Sequence, residues 1–288
     1  MTVELNKCYN ESCLETMKRM NDNFIDLVVT SPPYGDLRDY NGYIYDFKSV
    51  AKELFRILKI GGVVVWVVGD KYENGSETLF PFRQALFFKD EVGFSIHDTM
   101  IYEKTGLSFP PANRYWQIFE FMFILSKGTP KTTNLIKIAT KYQKRGNEKK
   151  SCSYREQDGT TTKGASYEIG KANKTLGNIW KIETGFMLTS KDRFAFDHPA
   201  MFPEKLCEMH ILSWSNEKEL VYDPFLGSGT VAKMSVLNNR YWIGSEISGN
   251  YCKIIEKRIS NDNLYKHPKG KFVKNSLLND FLGVGTEK

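Results

Sequence analysis

The stretch LVYDPFLGSGTVAKMSVLNNRYWIGSE, residues 220–246, decides the fold. Leu220-Val221-Tyr222 reads as a buried strand, VAKMSVLNN as a helix and RYWIGSE as a second strand. A strand, a glycine turn, a helix and a strand make a βαβ unit, whose two strands must be parallel. Gly227-x-Gly229 lets the backbone turn sharply and approach a ligand, while the following helix offers unpaired N–H groups and partial positive charge. A ligand held there should carry a carboxylate or a phosphate. Seventeen residues after Gly229, Glu246 closes the second strand, where a carboxylate can accept from both ribose hydroxyls of an adenosine-containing group. Three readings fit this stretch. It is an ordinary strand-to-helix turn, a dinucleotide site matching Gly227-x-Gly229-x-x-Ala232, or an S-adenosylmethionine site. Asp223-Pro224-Phe225 favours the last, because a proline and a bulky ring stiffen the loop against a small ligand.

A second stretch, VVTSPPYGDLRDY at residues 28–40, ends a strand in an unusual way. Pro32 and Pro33 remove two backbone donors and fix φ, so the ladder stops there. A surface turn would ordinarily recruit Gly, Asn or Asp. A stiff corner with Ser31 before it and Tyr34 after it is suited to holding a ligand rigidly; a rigid turn with a packed tyrosine is the plainer alternative.

Around these two corners the chain alternates strand-like and helix-like pieces. Phe24 to Val29 reads as a buried strand. FKSVAKELFRILK, residues 47–59, has Val50, Leu54, Ile57 and Leu58 at helical spacing, and Gly61-Gly62 should cap that helix. VVVWVV, residues 63–68, is a β-branched run expected of a strand covered on both faces. A helix near Phe80–Phe88 and the strand FEFMFIL, residues 119–125, continue the βαβα rhythm. His198-Pro199 opens a helix-like stretch through PEKLCEMHILSW, and Tyr251, Ile254, Ile255 and Ile259 mark one side of a last helix. The expected fold is α/β: an open, mostly parallel sheet with right-handed crossovers and helices on both faces.

Composition sets limits. The 288 residues are 41% hydrophobic and 26% charged, ordinary for a soluble globular chain. No apolar run reaches the roughly 20 residues of a membrane span, and MTVELNKCYNES has no signal-peptide pattern, so a cytoplasmic protein without membrane contact is expected. Cys8, Cys13, Cys152, Cys207 and Cys252 are scattered, and the four histidines show no ligand spacing to them, so neither a disulfide framework nor a metal site is expected. Net charge is +6, but residues 127–181 hold 13 Lys plus Arg against 4 Asp plus Glu, leaving the rest slightly acidic. Such a basic block is either a solvated face or the footprint of a nucleic acid.

Taken together, DPFLGSGT and TSPPY resemble the cofactor and catalytic motifs of DNA amino-methyltransferases, which methylate exocyclic amines of cytosine or adenine. TSPPY precedes DPFLGSGT by about 190 residues, an order that resembles the family's β arrangement, with the target-recognition region between the two halves. HPAMFPEKL resembles the family's cofactor-flanking helix, and EISGNYCKIIEKRI the segment after the acidic strand end. The resemblance implies a Rossmann-like sheet in circularly permuted order carrying a loop-rich basic insertion. It implies a catalytic half at 1–127, a target-recognition region at 128–196 and a cofactor half at 197–288.

By the same resemblance the cofactor is S-adenosyl-L-methionine, held by Asp223, Pro224, Phe225, Gly227, Ser228, Gly229, Thr230 and Glu246. The catalytic corner is Ser31, Pro32, Pro33 and Tyr34, and the partner is double-stranded DNA, with Arg114, Lys144, Arg145, Lys149 and Lys150 as candidate phosphate contacts. A cognate restriction endonuclease is a further candidate partner, and the protein is expected as a monomer or homodimer. Arg38 and Asp39 could shape the target pocket, and Asp70, at the end of a strand, could line the cofactor or base pocket or cap its own turn. Serine at the first motif position favours the N4 amine of cytosine over the N6 amine of adenine. The remaining rivals are protein-amide methylation, an NAD-dependent dehydrogenase and a non-enzymatic DNA-binding protein. One departure stands out: the family's acidic contact to the adenine ring falls at Ser12, with Glu11 beside it.

Overall fold

The computed structural model describes residues 3–33, 45–105, 112–139, 149–168 and 173–260, the side chains of 149–151 and 165–168 aside. Two compact units appear in it: one runs up to Asn134 and resumes at Asn178, the other lies within Leu135–Gly177.

The first unit opens with β1 (Lys7–Tyr9), α1 (Cys13–Lys18), β2 (Ile25–Thr30), α2 (Phe47–Ile57) and β3 (Leu58–Val68). A short hairpin of β4 (Tyr72–Glu73) and β5 (Ser76–Glu77) leads to α3 (Phe80–Leu86), which widens into a π-helical turn at Phe87–Val92. Strands β6 (Ser95–Lys104) and β7 (Phe119–Ser126) follow. The second unit contributes β8 (Lys137–Ala139), β9 (Lys149–Arg155), β10 (Thr161–Glu168) and β11 (Asn173–Thr175). The first unit then resumes with β12 (Ile179–Ile182), α4 (Glu204–Trp214), β13 (Leu220–Asp223), α5 (Thr230–Leu237), β14 (Tyr241–Ser245) and α6 (Gly249–Ile259).

Eight strands form the main sheet in the order β1-β14-β13-β2-β3-β7-β6-β12. Pairing is parallel from β1 to β3 and again between β6 and β12; only β7 runs against both its neighbours. The expected βαβα rhythm therefore breaks at FEFMFIL. After β6, residues 105–118 carry no helix among those described, so no crossover element returns the chain parallel, and β7 folds back antiparallel between β3 and β6. The strand β6 itself was not anticipated. Its residues alternate in burial only weakly, and its polar positions hide the period of two.

Both faces of the central strands are covered. Val28, Val64, Trp66, Val68, Tyr222 and Ile243 pack with Cys13 and Met17 of α1, Val50 and Leu54 of α2, and Phe88. The alternate residues Leu27, Val29, Val63, Val65, Val67 and Val221 are equally buried on the opposite face. There His210 of α4 lies against β7, its Nε2 3.2 Å from Met122 Sδ. Each fully buried valine of this strand contributes about 1.5–3 kcal/mol, which is why VVVWVV forms the spine of the sheet. The indole N–H of Trp66 is satisfied by Gln84 Oε1 at 2.9 Å.

Two local expectations are corrected. Gly61-Gly62 does not cap α2; the helix passes directly into β3 at Leu58, and both glycines lie inside the strand. Gly61 has φ +82, and a Cβ on Gly62 would sit 2.9 Å from the Asp26 carbonyl. The pair instead accommodates the register shift between Ile25 and Leu27 on β2. Likewise His198-Pro199 opens no helix. Residues 198–203 are non-helical and α4 begins at Glu204, just after Pro203.

The second unit holds two antiparallel ladders, β9 with β10 and β8 with β11.

Candidate functional site

The two motif-bearing strands are neighbours. β13 and β2 lie parallel, with Val221 opposite Leu27 and Tyr222 opposite Val28. From β13 the chain crosses through α5 outward to β14; from β2 it crosses through α2 outward to β3, in the other direction. That divergence is a topological switch point, where the carboxyl ends of open α/β sheets leave a crevice. A cavity of about 1090 Å³ occupies it. Ser31 and Pro33 line it from the β2 side; Asp223, Pro224, Phe225, Gly227, Ser228 and Thr230 line it from the β13 side; Glu246 closes it beyond β14. Pro32 is buried between its two lining neighbours.

Each wall has a local cause. Asp223 Oδ1 accepts from the Phe225 amide at 3.0 Å, so the carboxylate shapes the turn that follows it. The same oxygen accepts from Thr30 Oγ1 at 2.7 Å. Burial pushes the Asp223 carboxyl up to about 7, although both hydrogen bonds pull the other way. Gly227 has φ +54 and Gly229 φ +85, both in the left-handed region. A Cβ on Gly227 would stand 3.0 Å from His198 Nε2, so this glycine lets the loop approach the His-Pro segment. Gly229 does not line the cavity; a Cβ there would meet Ile255 Cγ1 at 2.8 Å, and its bareness lets α5 start against α6.

Glu246 accepts from the amides of Gly227 and Ser248, each at 2.8 Å. Burial raises its carboxyl above the ordinary value while those amides oppose the shift. The Ile247 amide also contributes, and a carboxylate's roughly four acceptor sites still leave capacity for a ribose hydroxyl in the cavity. Glu11 also lines the cavity, its carboxylate held by Thr16 and Arg19, whereas Ser12 stands at the start of α1. The residues fit an adenosine-containing sulfonium: an acidic group for the ribose, the Phe225 ring, and the first-turn amides of α5 for a carboxylate. The volume exceeds what one small ligand needs, leaving space beside the Ser31 corner.

A family model described as DNA methylase matches residues 25–257 of this chain. The chain belongs to the N6/N4 DNA methylase family. It is 55% identical over 257 residues to the orphan methyltransferase M.BamHII of Bacillus amyloliquefaciens, covering 88% of this chain and 96% of that one. It is 27% identical to the type II methyltransferase M.BglII of Bacillus subtilis, over 90% and 70% of the two chains. Among solved structures, PvuII DNA methyltransferase, named as cytosine-N4-specific, superposes with a TM-score of 0.65 at 21% identity, covering 91% and 89%. The M1.HpyAVI–SAM complex gives 0.56 at 21% identity, covering 88% and 98%. This chain shares its Rossmann-like architecture with both solved structures.

Other walls of the methylase cavity were not anticipated. The segment from His198 to Pro203 forms one side, with the His198 ring 4.4 Å from that of Tyr251. Trp116, Gln117, Phe186 and the Lys104–Glu120 ion pair form another. No motif marks them; Trp116 and Phe186 are exposed aromatics whose only signal is their place on the cavity wall. Behind the glycine loop lies a further group missed in the sequence. Lys233 and Arg258 are buried with Asp192 and Glu204. Arg258 follows Ile254 and Ile255 at helical spacing, so a charge on that apolar side was the available hint.

The remaining candidates fall elsewhere. Tyr34, Arg38, Asp39, Lys144 and Arg145 lie outside the described residues. Lys149 and Lys150 belong to β9 of the second unit. The Arg114 guanidinium sits 3.9 Å from the Tyr72 ring centroid. Asp70 does not line the cavity; it accepts from the Lys71 amide, Thr78 Oγ1 and the Leu79 amide, and so caps its own turn. No described helix is long and apolar enough to cross a membrane.

Proposed function

We propose that this DNA methyltransferase acts on the exocyclic N4 amine of cytosine in duplex DNA, after the base has been rotated out of the stack. S-adenosylmethionine supplies an electrophilic methyl group on its sulfonium. The observation that carries the reading is the meeting of the Ser31–Pro33 corner and the Asp223–Thr230 loop at one cavity.

The amine of cytosine is a weak nucleophile because its lone pair is delocalised into the ring. In this reading the Ser31 oxygen and the Pro32 carbonyl accept hydrogen bonds from the two amine N–H groups, drawing the nitrogen toward tetrahedral geometry. Two consecutive prolines hold those acceptors in place without reorganisation. The nitrogen would bond the methyl carbon as that carbon's bond to sulfur breaks, S-adenosylhomocysteine would leave, and the methylated amine would lose one proton to water. Alignment of so direct a displacement supplies much of the acceleration. Glu246 takes the ribose hydroxyls, and the first-turn amides of α5 take the cofactor carboxylate. Tyr34 stacks on the base, and the rings of Trp116 and Phe186 supply further apolar walls. The basic block, with Lys144, Arg145, Lys149 and Lys150, and Arg114 from the first unit, contacts phosphates.

Serine before the prolines supports cytosine over adenine, and the PvuII enzyme, which has a similar fold, is named as cytosine-N4-specific. Transfer itself needs no nuclease, and M.BamHII is named as an orphan methyltransferase, which supports action without a cognate endonuclease.

Incubating the protein with labelled S-adenosylmethionine and mixed-sequence duplex, followed by mass spectrometry of the nucleosides, should yield N4-methylcytosine. N6-methyladenine would overturn the base assignment, and no transfer to any duplex the activity. Ser31→Ala should abolish transfer while S-adenosylhomocysteine still binds.

A further inference from the structure

The glycine loop is held from behind by one side chain. Arg258 of α6 is 0% exposed, and its guanidinium divides its donors between two duties. Nη1 is given wholly to the loop: it donates to the Ser228 carbonyl at 3.0 Å, Ser228 Oγ at 3.2 Å and Thr230 Oγ1 at 3.0 Å. Nε donates to Asp192 Oδ2 at 2.8 Å, and Nη2 to Glu204 Oε1 at 2.5 Å and Ser190 Oγ at 3.2 Å. Lys233, 1% exposed, reaches the same two carboxylates at 2.8 and 2.9 Å. Two cations and two anions thus balance in the interior. Burial alone would raise the Glu204 carboxyl, but Arg258 and Lys233 together hold it below its ordinary value.

Only one of the two cations touches the loop by its side chain. Lys233 serves the acids alone, whereas the rigid fork of Arg258 joins those acids to Ser228 and Thr230 on either side of Gly229. Pinning the Ser228 carbonyl fixes the peptide plane that enters Gly229. The Thr230 hydroxyl is fixed as well, since it also donates to the Phe202 carbonyl at 3.1 Å. Those constraints fix the backbone through which the chain enters α5.

We infer that Arg258 is a positioning residue for cofactor binding: anchored by Asp192 and Glu204, it sets the loop geometry that the methyl donor meets. The inference rests on the reading of this loop as the S-adenosylmethionine site. A loop preset by buried donors binds without having to order itself at the moment of binding.

The test compares Arg258→Lys with Lys233→Met in the full chain. It measures thermal midpoint, S-adenosylhomocysteine affinity by calorimetry, KM and kcat for S-adenosylmethionine, and hydrogen exchange of residues 225–232. Arg258→Lys keeps a cation by the acids but lacks the fork; its Kd and KM should rise about tenfold or more, with kcat at saturation within about threefold. Loop amides should exchange faster in that variant. Lys233→Met should lower the midpoint yet leave Kd within about twofold. A lowered midpoint with unchanged Kd and exchange in Arg258→Lys would overturn the positioning role. Should that variant not fold, Glu204→Gln loosens the same anchor without touching the loop and should raise Kd in the same direction; an unchanged Kd there overturns it equally. Failure of the unmodified protein to bind S-adenosylhomocysteine would refute the cofactor reading itself, whatever the loop exchange shows.

Discussion

Thr30 Oγ1 donates a hydrogen bond to Asp223 Oδ1 at 2.7 Å, between residues 193 apart in the chain, and both groups are buried. Thr30 ends β2, one residue before Ser31, and Asp223 ends β13, one residue before Pro224. The bond therefore ties the proline corner to the glycine loop at the point where their strands leave the sheet. Removing the donor leaves a buried carboxylate short of one partner. Thr30→Val, which keeps the shape, should cost about 1–3 kcal/mol in denaturant unfolding, and Thr30→Ser should recover most of it. A loss below about 0.5 kcal/mol would mean that the bond contributes little.

Asp223 also gives the protein a pH dependence. Its carboxyl is pushed from 3.8 to about 7, with burial as the main cause. Between those values the unfolded chain has released the proton while the folded chain retains it. This group therefore favours folding at low pH, and its contribution is lost as pH rises toward 7. Asp223→Asn still accepts from Thr30 and Phe225 but cannot ionise. Its stability relative to the parent should improve steadily from pH 4 to pH 7; a flat difference would exclude the raised pKa.

His210 acts in the opposite sense. Burial lowers its imidazole from 6.5 to about 3, and its Nδ1 has no partner among the described residues. The ring packs 4.6 Å from that of Trp180. Here the unfolded chain takes up the proton first, so stability present above about 6.5 is lost as pH falls toward 3. His210→Leu should fold within about 1.5 kcal/mol of the parent at pH 8 and outlast it at pH 5. Equal acid sensitivity of the two proteins would count against this assignment.

Gly229 and Gly159 separate steric fit from backbone strain. Their φ values are +85 and +84, but a Cβ meets Ile255 Cγ1 at 2.8 Å at the first and nothing within 4 Å at the second. Gly159→Ala should pay only for the left-handed backbone, about 1 kcal/mol. Gly229→Ala should lose several times more and should weaken S-adenosylhomocysteine binding. Equal losses would show that the approach of α6 to the loop is not what demands glycine.

Trp116 is exposed and lines the cavity, and the proposed function makes its ring a wall for an extruded base. Trp116→Ala should raise KM for DNA by about tenfold, the lower range for loss of one base–aromatic stack, with cofactor affinity unchanged. A proportional loss of cofactor affinity would place the indole on the other ligand.

Much of the scaffold is legible residue by residue. Val63–Val68 can only be a doubly covered strand, and the spacing of Val50, Leu54 and Ile57 specifies the buried side of α2. The doubled proline announces the end of a strand and Gly227–Gly229 a sharp turn, and the dihedral demands of both are local. Elsewhere the local signals are ambiguous. Two glycines after a helix read as a cap, yet they lie inside β3, because the register with β2 outweighed the turn preference. The direction of β7 carries no local signature, since an apolar strand looks alike in either orientation.

The amino-acid sequence by itself determined the alternation of elements, the two stiff corners and the chemistry they could carry, because periodicity, proline and glycine act over a few neighbouring residues. Only the tertiary structure decided that the corners leave adjacent strands, that Glu11 rather than Ser12 lines the cavity, and that Arg258 stands behind the loop with Asp192 and Glu204. Strand order and the partners of buried charges depend on which distant surfaces exclude water together, and no short stretch of chain encodes that.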